Sequence, residues 1–590
     1  MPLRIYLCLI YILSTGFLLQ SQTYIRTNQV GYRPGDIKSA VVFSNEILKG
    51  NFNVIDKDDK LVYTGPVIER RTLGYSPQKN YYTLDFSKIN RQGLYKISIE
   101  GKSLTSVLVQ TEAYNHLPDV LLQFMRQQRC GFNPYFHQLC HQLDGKIMGG
   151  GPLPDSTYVD VRGGWHDAGD QLKYLITASN ATARMIMAYL MNPKLFIDSL
   201  DALGRPGAND IPDVLDEGKW GLDWILKLHC SPNQLIHMVG DDRDHSGWEL
   251  PMNDQSNYGW GKNSYRVAYM ATGQPQGLHK YKSKATGIAN VAGRSAAALA
   301  LGYQVWNDKK YDPVFASTCL KAAEELYDMA LLQPGYQQGN SYGAPYRYNE
   351  DTWTDDMEWA ATELYKATKN KKYLDDAKKY ALLTGELSWI QRDTSAHYQF
   401  YPFLNIAHAE LYQVVDAIFK KKLASYYRNG IKQTMIRAGK NVYSHGVPFI
   451  WCSNNLLVDL IIQIQLYEKM TGDLQFNSYK YSLRDWLFGR NPWGTSMFMN
   501  IPVTGIYPHD VHTSTYAITH QEVPGGLVDG PIYYTTYEKQ IGLTLTHKDP
   551  FASFQNKYVV YHDDIGDYTS NEPTMDGTAC AVLMMVCFAK

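Results

Sequence analysis

The sequence predicts a small β-sandwich followed by a much larger, mainly helical domain whose helices pair around a barrel. Three observations predict it. The hydrophobic period changes from two to about 3.6 residues near Glu112. Helical segments then follow to the C-terminus, joined by long connections rich in Gly, Pro and Trp that suit a cleft at one end of a barrel. Finally, 590 residues exceed the usual size of one core, which favours two domains. A helical solenoid would need a sequence repeat, and no fixed repeat is visible.

The chain opens with one early basic residue, an apolar run from Ile5 to Leu19 and the polar Gln20-Ser21-Gln22. This reads as a secretory leader, residues 1–21, too short at its apolar core for a comfortable membrane span. The expected location is therefore outside the cytoplasm, secreted or periplasmic, with no transmembrane segment. Of eight cysteines, Cys8 lies in the leader without a lipid-anchor context, and the other seven are scattered too widely for a disulfide framework.

Residues 22–111 read as the sandwich. Alternating runs such as Tyr82-Thr83-Leu84-Asp85-Phe86 and Tyr95-Lys96-Ile97-Ser98-Ile99 are broken by turn residues. No tryptophan lies between Thr23 and Gln110, so this domain is expected to pack on its neighbour rather than to bind a polysaccharide on its own. Residues 112–590 read as helical. Ile211, Val214, Leu215, Leu222, Ile225 and Leu226 share one helical face, and similar segments are expected at 289–306, 313–329, 355–368, 373–383, 424–438 and 454–470.

With 57 basic and 58 acidic residues the net charge is −1, which gives no field for holding nucleic acid or an anionic membrane. A neutral partner fits better, and a monomer is expected. Aromatics form 13% of the chain, with 45 tyrosines; this suits stacking on sugar rings, although an ordinary aromatic core fits equally well.

Two segments carry candidate chemistry. In Gly163-Gly164-Trp165-His166-Asp167-Ala168-Gly169-Asp170, two carboxylates three residues apart can converge on one water and direct it as a nucleophile. Asp170 could equally be the N-cap of the helical run that follows. In the run from Asp563 to Glu572, a Glu among aromatics and other acids could keep its proton near neutrality. Glu572 could equally serve the dipole of the terminal helix around 579–589.

Together these segments resemble glycoside hydrolase family nine. The resemblance rests on Asn28-Gln29-Val30-Gly31-Tyr32, Gln128-Arg129-Cys130-Gly131, Gly163–Asp170, Asp213–Trp224, Asp355–Thr368 and Gly489-Arg490-Asn491-Pro492, then Gly525–Pro531 and Asp567–Glu572. It implies an (α/α)6 barrel behind an immunoglobulin-like domain, with the Gln128–Gly131 stretch in the first barrel helix. It further implies a secreted inverting endoglucanase acting on a β-glucan, with Asp170 as general base, Asp167 helping to hold the water and Glu572 as general acid. No cofactor is implied for catalysis. Asp567 is expected to orient water or structure rather than to attack.

The chain departs from the family's His-His-Arg run at Tyr507-Pro508-His509-Asp510-Val511-His512-Thr513, where Thr513 replaces the Arg. His512 is the expected sugar-binding histidine. Tyr568, Trp353, Trp165 and Asp567 are expected to meet substrate, and Trp248, Trp260 and Trp493 are further candidate platforms. Cys130, Cys140, His141 and His166 form a candidate structural zinc set, since two sulfurs and two imidazoles suit a closed site; unliganded thiols and a core histidine are the alternative. Calcium could brace Asp241-Asp242-Arg243-Asp244. Other functions compatible with the sequence are an exo-acting glycosidase on short cellooligosaccharides or aminosugar oligomers, and a non-catalytic glycan-binding protein.

Overall fold

The computed structural model describes residues 23–99, 103–277, 279–344, 347–385 and 406–589; the expected leader lies outside them. Eight strands form two antiparallel sheets at the N-terminus. One sheet orders β1 (Tyr24–Arg26), β2 (Ser39–Ser44), β6 (Asn80–Asp85) and β5 (Ile68–Arg70). The other orders β4 (Leu61–Pro66), β3 (Asn51–Asp56), β7 (Gly93–Ile99) and β8 (Ser103–Val109). Strand β7 shows the alternation that the sequence suggests, burying Tyr95, Ile97 and Ile99 against Phe52 and Val54.

Strand β2 is different, for it is buried on both faces. Ala40 and Val42 point into the sandwich, whereas Val41 and Phe43 join the core of the helical domain. Polar contacts seal the junction: Asn28 Nδ2 donates to Asp485 Oδ1 and to Tyr114 Oη, each at 2.8 Å, and Arg484 Nη1 lies 2.6 Å from Asp36 Oδ2.

The helical domain starts with α1 (Leu117–Gln127) and continues through α2 (Leu175–Met191), α3 (Asp213–Leu228), α4 (Ala289–Trp306), α5 (Pro313–Leu332), α6 (Thr354–Thr368) and α7 (Lys371–Thr384). Helices Ala407–Tyr412, Ala417–Ala438, Ser453–Thr471, Asn477–Leu487 and Met575–Val586 complete it. Contacts run from α2 to α4, to α6, to Ala407–Tyr412, to Ser453–Thr471, to Met575–Val586 and back to α2, closing an inner ring of six. An outer helix packs on each, which is the (α/α)6 barrel. Sequence and position agree: Met575–Val586 is buried along its whole length, whereas α1 is amphipathic and buries one face. Gln128–Gly131, expected in the first barrel helix, instead follows it; α1 ends at Gln127 and Gly131 turns the chain at φ +91°.

Candidate active site

The loops that enter the N-terminal ends of α2, Ser453–Thr471 and Met575–Val586 enclose a cavity of about 560 Å³. Asp167, Asp170, Glu572, His512 and Tyr568 all line it, brought together from opposite ends of the sequence.

Gly169 holds the two acidic segments together. Its amide donates to Glu572 Oε1 at 2.9 Å, and its carbonyl accepts from Ser514 Oγ at 3.0 Å. A Cβ on Gly169 would lie 2.8 Å from Glu572 Oε1 and 2.3 Å from the His512 carbonyl oxygen, so only glycine fits. Asp170 is not a helix cap: Lys173 and Tyr174 form a short strand before α2, and Asp170 Oδ1 instead accepts from the Leu172 amide at 2.8 Å. Nor is Glu572 in the first turn of the terminal helix, where the acidic residue is Asp576.

Burial raises both acids. Burial and the neighbouring Asp244 raise the Asp170 carboxyl to about 7, against the opposing pull of His245. Burial, Asp529 and Asp170 push Glu572 well above the usual carboxylate range, against the Gly169 hydrogen bond and His245. Two carboxyls raised by burial, one of them to near neutrality, are suited to proton transfer. Asp167 accepts from Thr177 Oγ1 at 2.6 Å and from the Tyr348 hydroxyl; burial, Asp576 and Asp170 nevertheless raise it strongly.

His245, which no sequence motif marks, also lines the cavity. Its Nε2 lies 3.8 Å from Asp170 Oδ2, and its Nδ1 lies 2.5 Å from Asp244 Oδ1. Burial opposes its charge, but Asp244, Asp170 and Glu572 raise it to about 10, making it the cation opposite the base candidate. The signal was the acidic run just before it. Those acids form a scaffold rather than a calcium cage: Asp241 accepts from Arg243 and Tyr269, Asp242 from the Gly343 and Ala344 amides, and Asp244 from the Gln171 amide. Each carboxylate is satisfied by donors, so they do not converge on an ion.

One wall is aromatic. Trp248, His512, Tyr568 and Trp451 follow one another with ring centroids 4.6, 5.8 and 5.7 Å apart. His512 Nδ1 lies 2.6 Å from the Ile565 carbonyl, which requires the proton on Nδ1, and burial lowers the ring to about 4, so it stays neutral with Nε2 an acceptor. Thr513 caps Ser514–Thr519 by accepting from the Tyr516 amide. Trp451 and Tyr348, both cavity-lining, escaped the sequence reading because nothing local distinguishes them from core aromatics.

Three expected substrate contacts are corrected. Trp165 is fully buried, its indole N–H donating to Glu217 Oε1 at 2.8 Å. Trp353 packs edge-on against Tyr380 at the start of α6, outside the cavity lining. Asp567 is buried, accepting from the Thr569 and Ser570 hydroxyls and pairing with His562 Nδ1 at 2.7 Å; it organises the Glu572 loop. Among the further platforms, Trp493 is buried and Trp260 packs beside Lys146, so only Trp248 reaches the cavity.

The donor atoms of Cys130, Cys140, His141 and His166 all lie within 4.8 Å of one another. His141 Nδ1 is 3.1 Å from His166 Nε2 and 3.6 Å from Cys130 Sγ, while its Nε2 faces Asp254 Oδ2 at 3.2 Å. Burial opposes ionisation of Cys130, yet Cys140, Lys173, His166 and His141 hold its thiol well below the usual range. A buried S2N2 set with a carboxylate behind one imidazole fits a closed zinc site.

Two raised carboxyls lining one aromatic-walled cavity in an (α/α)6 barrel suit glycoside hydrolysis. Residues 114–585 match the model of glycosyl hydrolase family 9 and residues 20–103 that of the cellulase N-terminal ig-like domain. The chain belongs to glycosyl hydrolase family 9. It is 26% identical to endoglucanase C of Cellulomonas fimi over 94% of this chain, but spans only 50% of that relative's length. It is 24% identical to a xyloglucan-specific endo-β-1,4-glucanase of Bacteroides ovatus, over 95% of this chain and 92% of the relative. Among solved structures, a Zn-binding triple mutant of the family 9 endoglucanase J30 superposes with a TM-score of 0.75 at 24% identity, covering 95% of this chain and 99% of that one.

Proposed function

We propose that this protein is an exported endo-β-1,4-glucanase that cleaves glucan backbones by single displacement with inversion. The observation that carries the reading is that Asp170 and Glu572 line one cavity, tied together through the Gly169 amide, with both carboxyls raised by burial. Asp170, with Asp167 sharing the water, takes a proton as the water attacks the anomeric carbon; Glu572 gives its proton to the departing sugar oxygen. Gly169 occupies Glu572 Oε1, so the transferable proton belongs on Oε2. The aromatic wall stacks on successive sugar rings. The relatives named endoglucanase and xyloglucan-specific glucanase support an endo-acting reading on such polymers. The zinc set would be structural, since Cys130, Cys140, His141 and His166 leave no ligand position for substrate.

The test is a time course of products from cellulose derivatives, mixed-linkage glucan, xyloglucan and short cellooligosaccharides, with Glu572→Gln as control. Early oligomers of many sizes, released as α-anomers by NMR, are expected. Monosaccharide alone from short oligomers would replace this reading with the exo-acting one, and β-anomeric products would remove the inverting mechanism. N-terminal sequencing of exported protein, expected to begin near Gln22, checks export.

A further inference from the structure

Arg266 opens the strand Arg266–Met270, with Asp144 opposite it on the parallel neighbour Asp144–Ile147. The guanidinium is buried and held by a bidentate pair: Nε lies 2.7 Å from Asp144 Oδ1 and Nη2 lies 2.8 Å from Asp144 Oδ2. Its remaining nitrogen, Nη1, donates to the Gln171 carbonyl at 2.6 Å.

That carbonyl belongs to the peptide group joining Gln171 to Leu172, and the N–H of the same group donates to Asp170 Oδ1 at 2.8 Å. A cation on a peptide oxygen polarises the group and makes its N–H a stronger donor. Arg266 thus reaches the Asp170 carboxylate through one peptide group while standing behind the cavity, whose lining includes Gln171 but not Arg266. The preceding peptide group is fixed as well: the Gln171 amide donates to Asp244 Oδ2 at 2.9 Å, and the Gln171 side chain donates to the Glu249 carbonyl at 3.1 Å. The backbone that follows Asp170 is therefore pinned at two successive peptide groups.

We propose that Arg266 is a positioning residue that acts on Asp170 through the Gln171–Leu172 peptide group, aiming its N–H at Oδ1 so that Oδ2, 3.8 Å from His245 Nε2, is the oxygen left for the water. This rests on Asp170 being the general base. Other titratable groups also face Asp170: Asp244 and His245 from the loop after Ile236–Val239, Asp167 and Tyr174 from its own segment, and Glu572 from the loop before the terminal helix. Burial and Asp244 raise the Asp170 carboxyl, whereas His245, the Leu172 amide and Arg266 lower it. Both links of the relay therefore favour the anion.

The test is Arg266→Lys in the full chain, which keeps a cation beside Asp144 but lacks the fork needed to hold Asp144 and the Gln171 carbonyl together. Asp144 stays paired in any case, because Lys173 Nζ lies 2.8 Å from its Oδ2. With the relay cut, the Asp170 anion loses support and its carboxyl rises. The acid limb of the pH profile of kcat/KM on glucan should move up by about half a unit with the basic limb unmoved, and kcat above that limb should fall about 10-fold at unchanged KM. Damage to the fold alone would lower the rate by the same factor at every pH. An unmoved acid limb therefore overturns the proposal, and so does an unchanged kcat. If Arg266→Lys does not fold, the charge-balanced pair Arg266→Met with Asp144→Asn should show the same upward shift, and an unmoved limb there overturns the proposal too. Asp170→Asn is measured alongside. If it still hydrolyses polymer, the base assignment fails; if it is inactive while the Arg266→Lys limb stays put, only this inference fails.

Discussion

The Gly169 amide and Glu572 Oε1 lie 2.9 Å apart, so the loop carrying Asp170 and the loop carrying Glu572 are joined by a hydrogen bond spanning 403 positions. The base candidate is the next residue along. Gly169→Ala would drive a Cβ into both Glu572 and the His512 carbonyl, moving Asp170, Glu572 and His512 together. The expected result is a loss of roughly 100-fold in kcat, the scale of a one-ångström misplacement, with little change in the unfolding midpoint. Steady-state kinetics beside thermal denaturation check this; unchanged kcat would mean that the loop has room the geometry denies.

Removing either acid should cost more. Glu572→Gln and Asp170→Asn each keep shape and lose proton transfer, so about 10²–10⁴-fold lower turnover on polymer is expected, with substrate binding retained. Affinity electrophoresis on glucan gels reads binding separately from rate.

These acids were legible in the sequence because each sits in a short, locally coded loop entering an inner helix. The helical period fixed α4 at 289–306, and alternation fixed β7. Side-chain exposure was not legible. Trp165 and Trp451 both occur in loops beside small or polar residues, but only the folded chain places Glu217 against the Trp165 indole and leaves Trp451 in the cavity wall. His245 stayed hidden for a similar reason: its partner Asp170 is 75 residues away, and the acids preceding it look like metal ligands until their amide donors are seen.

His245 also makes a pH prediction. If Asp170 is the base it acts only when ionised, so activity should rise with pH through about 7, where its carboxyl titrates. His245, held at about 10, is still cationic there and favours that anion. His245→Gln removes the cation and should move the acid limb of kcat/KM upward by about one unit, so the variant loses more at pH 6 than at pH 8. An acid limb that stays in place would disconnect His245 from Asp170.

If Cys130, Cys140, His141 and His166 hold zinc, the purified protein should carry one equivalent by elemental analysis, and a strong chelator should lower its melting temperature while slowing catalysis only as the fold loosens. Cys140→Ser should lose the metal. Purified protein that has no zinc and binds none on addition would leave the cluster as thiols and imidazoles packed beside Lys173.

A buried charge cluster joins the two domains. Arg484 lies in the barrel with its guanidinium 2.6 Å from Asp36 of the sandwich and 2.8 Å from its own neighbour Asp485. All three side chains are buried. Such a pair adds little relative to apolar residues of the same shape, yet breaking it strands the remaining charges, at a cost of about 3–5 kcal/mol. Arg484→Ala should therefore lower the unfolding free energy, read by denaturant titration, by that amount while leaving kcat intact in native buffer, because the cavity is lined from other segments. Arg484→Ala combined with Asp36→Asn should recover part of the loss. A barrel without residues 22–111 should fare worse, since it bares the surface that covers Val41 and Phe43. Equal stability of the truncated and full chains would mean that the sandwich merely rests on the barrel rather than completing its core.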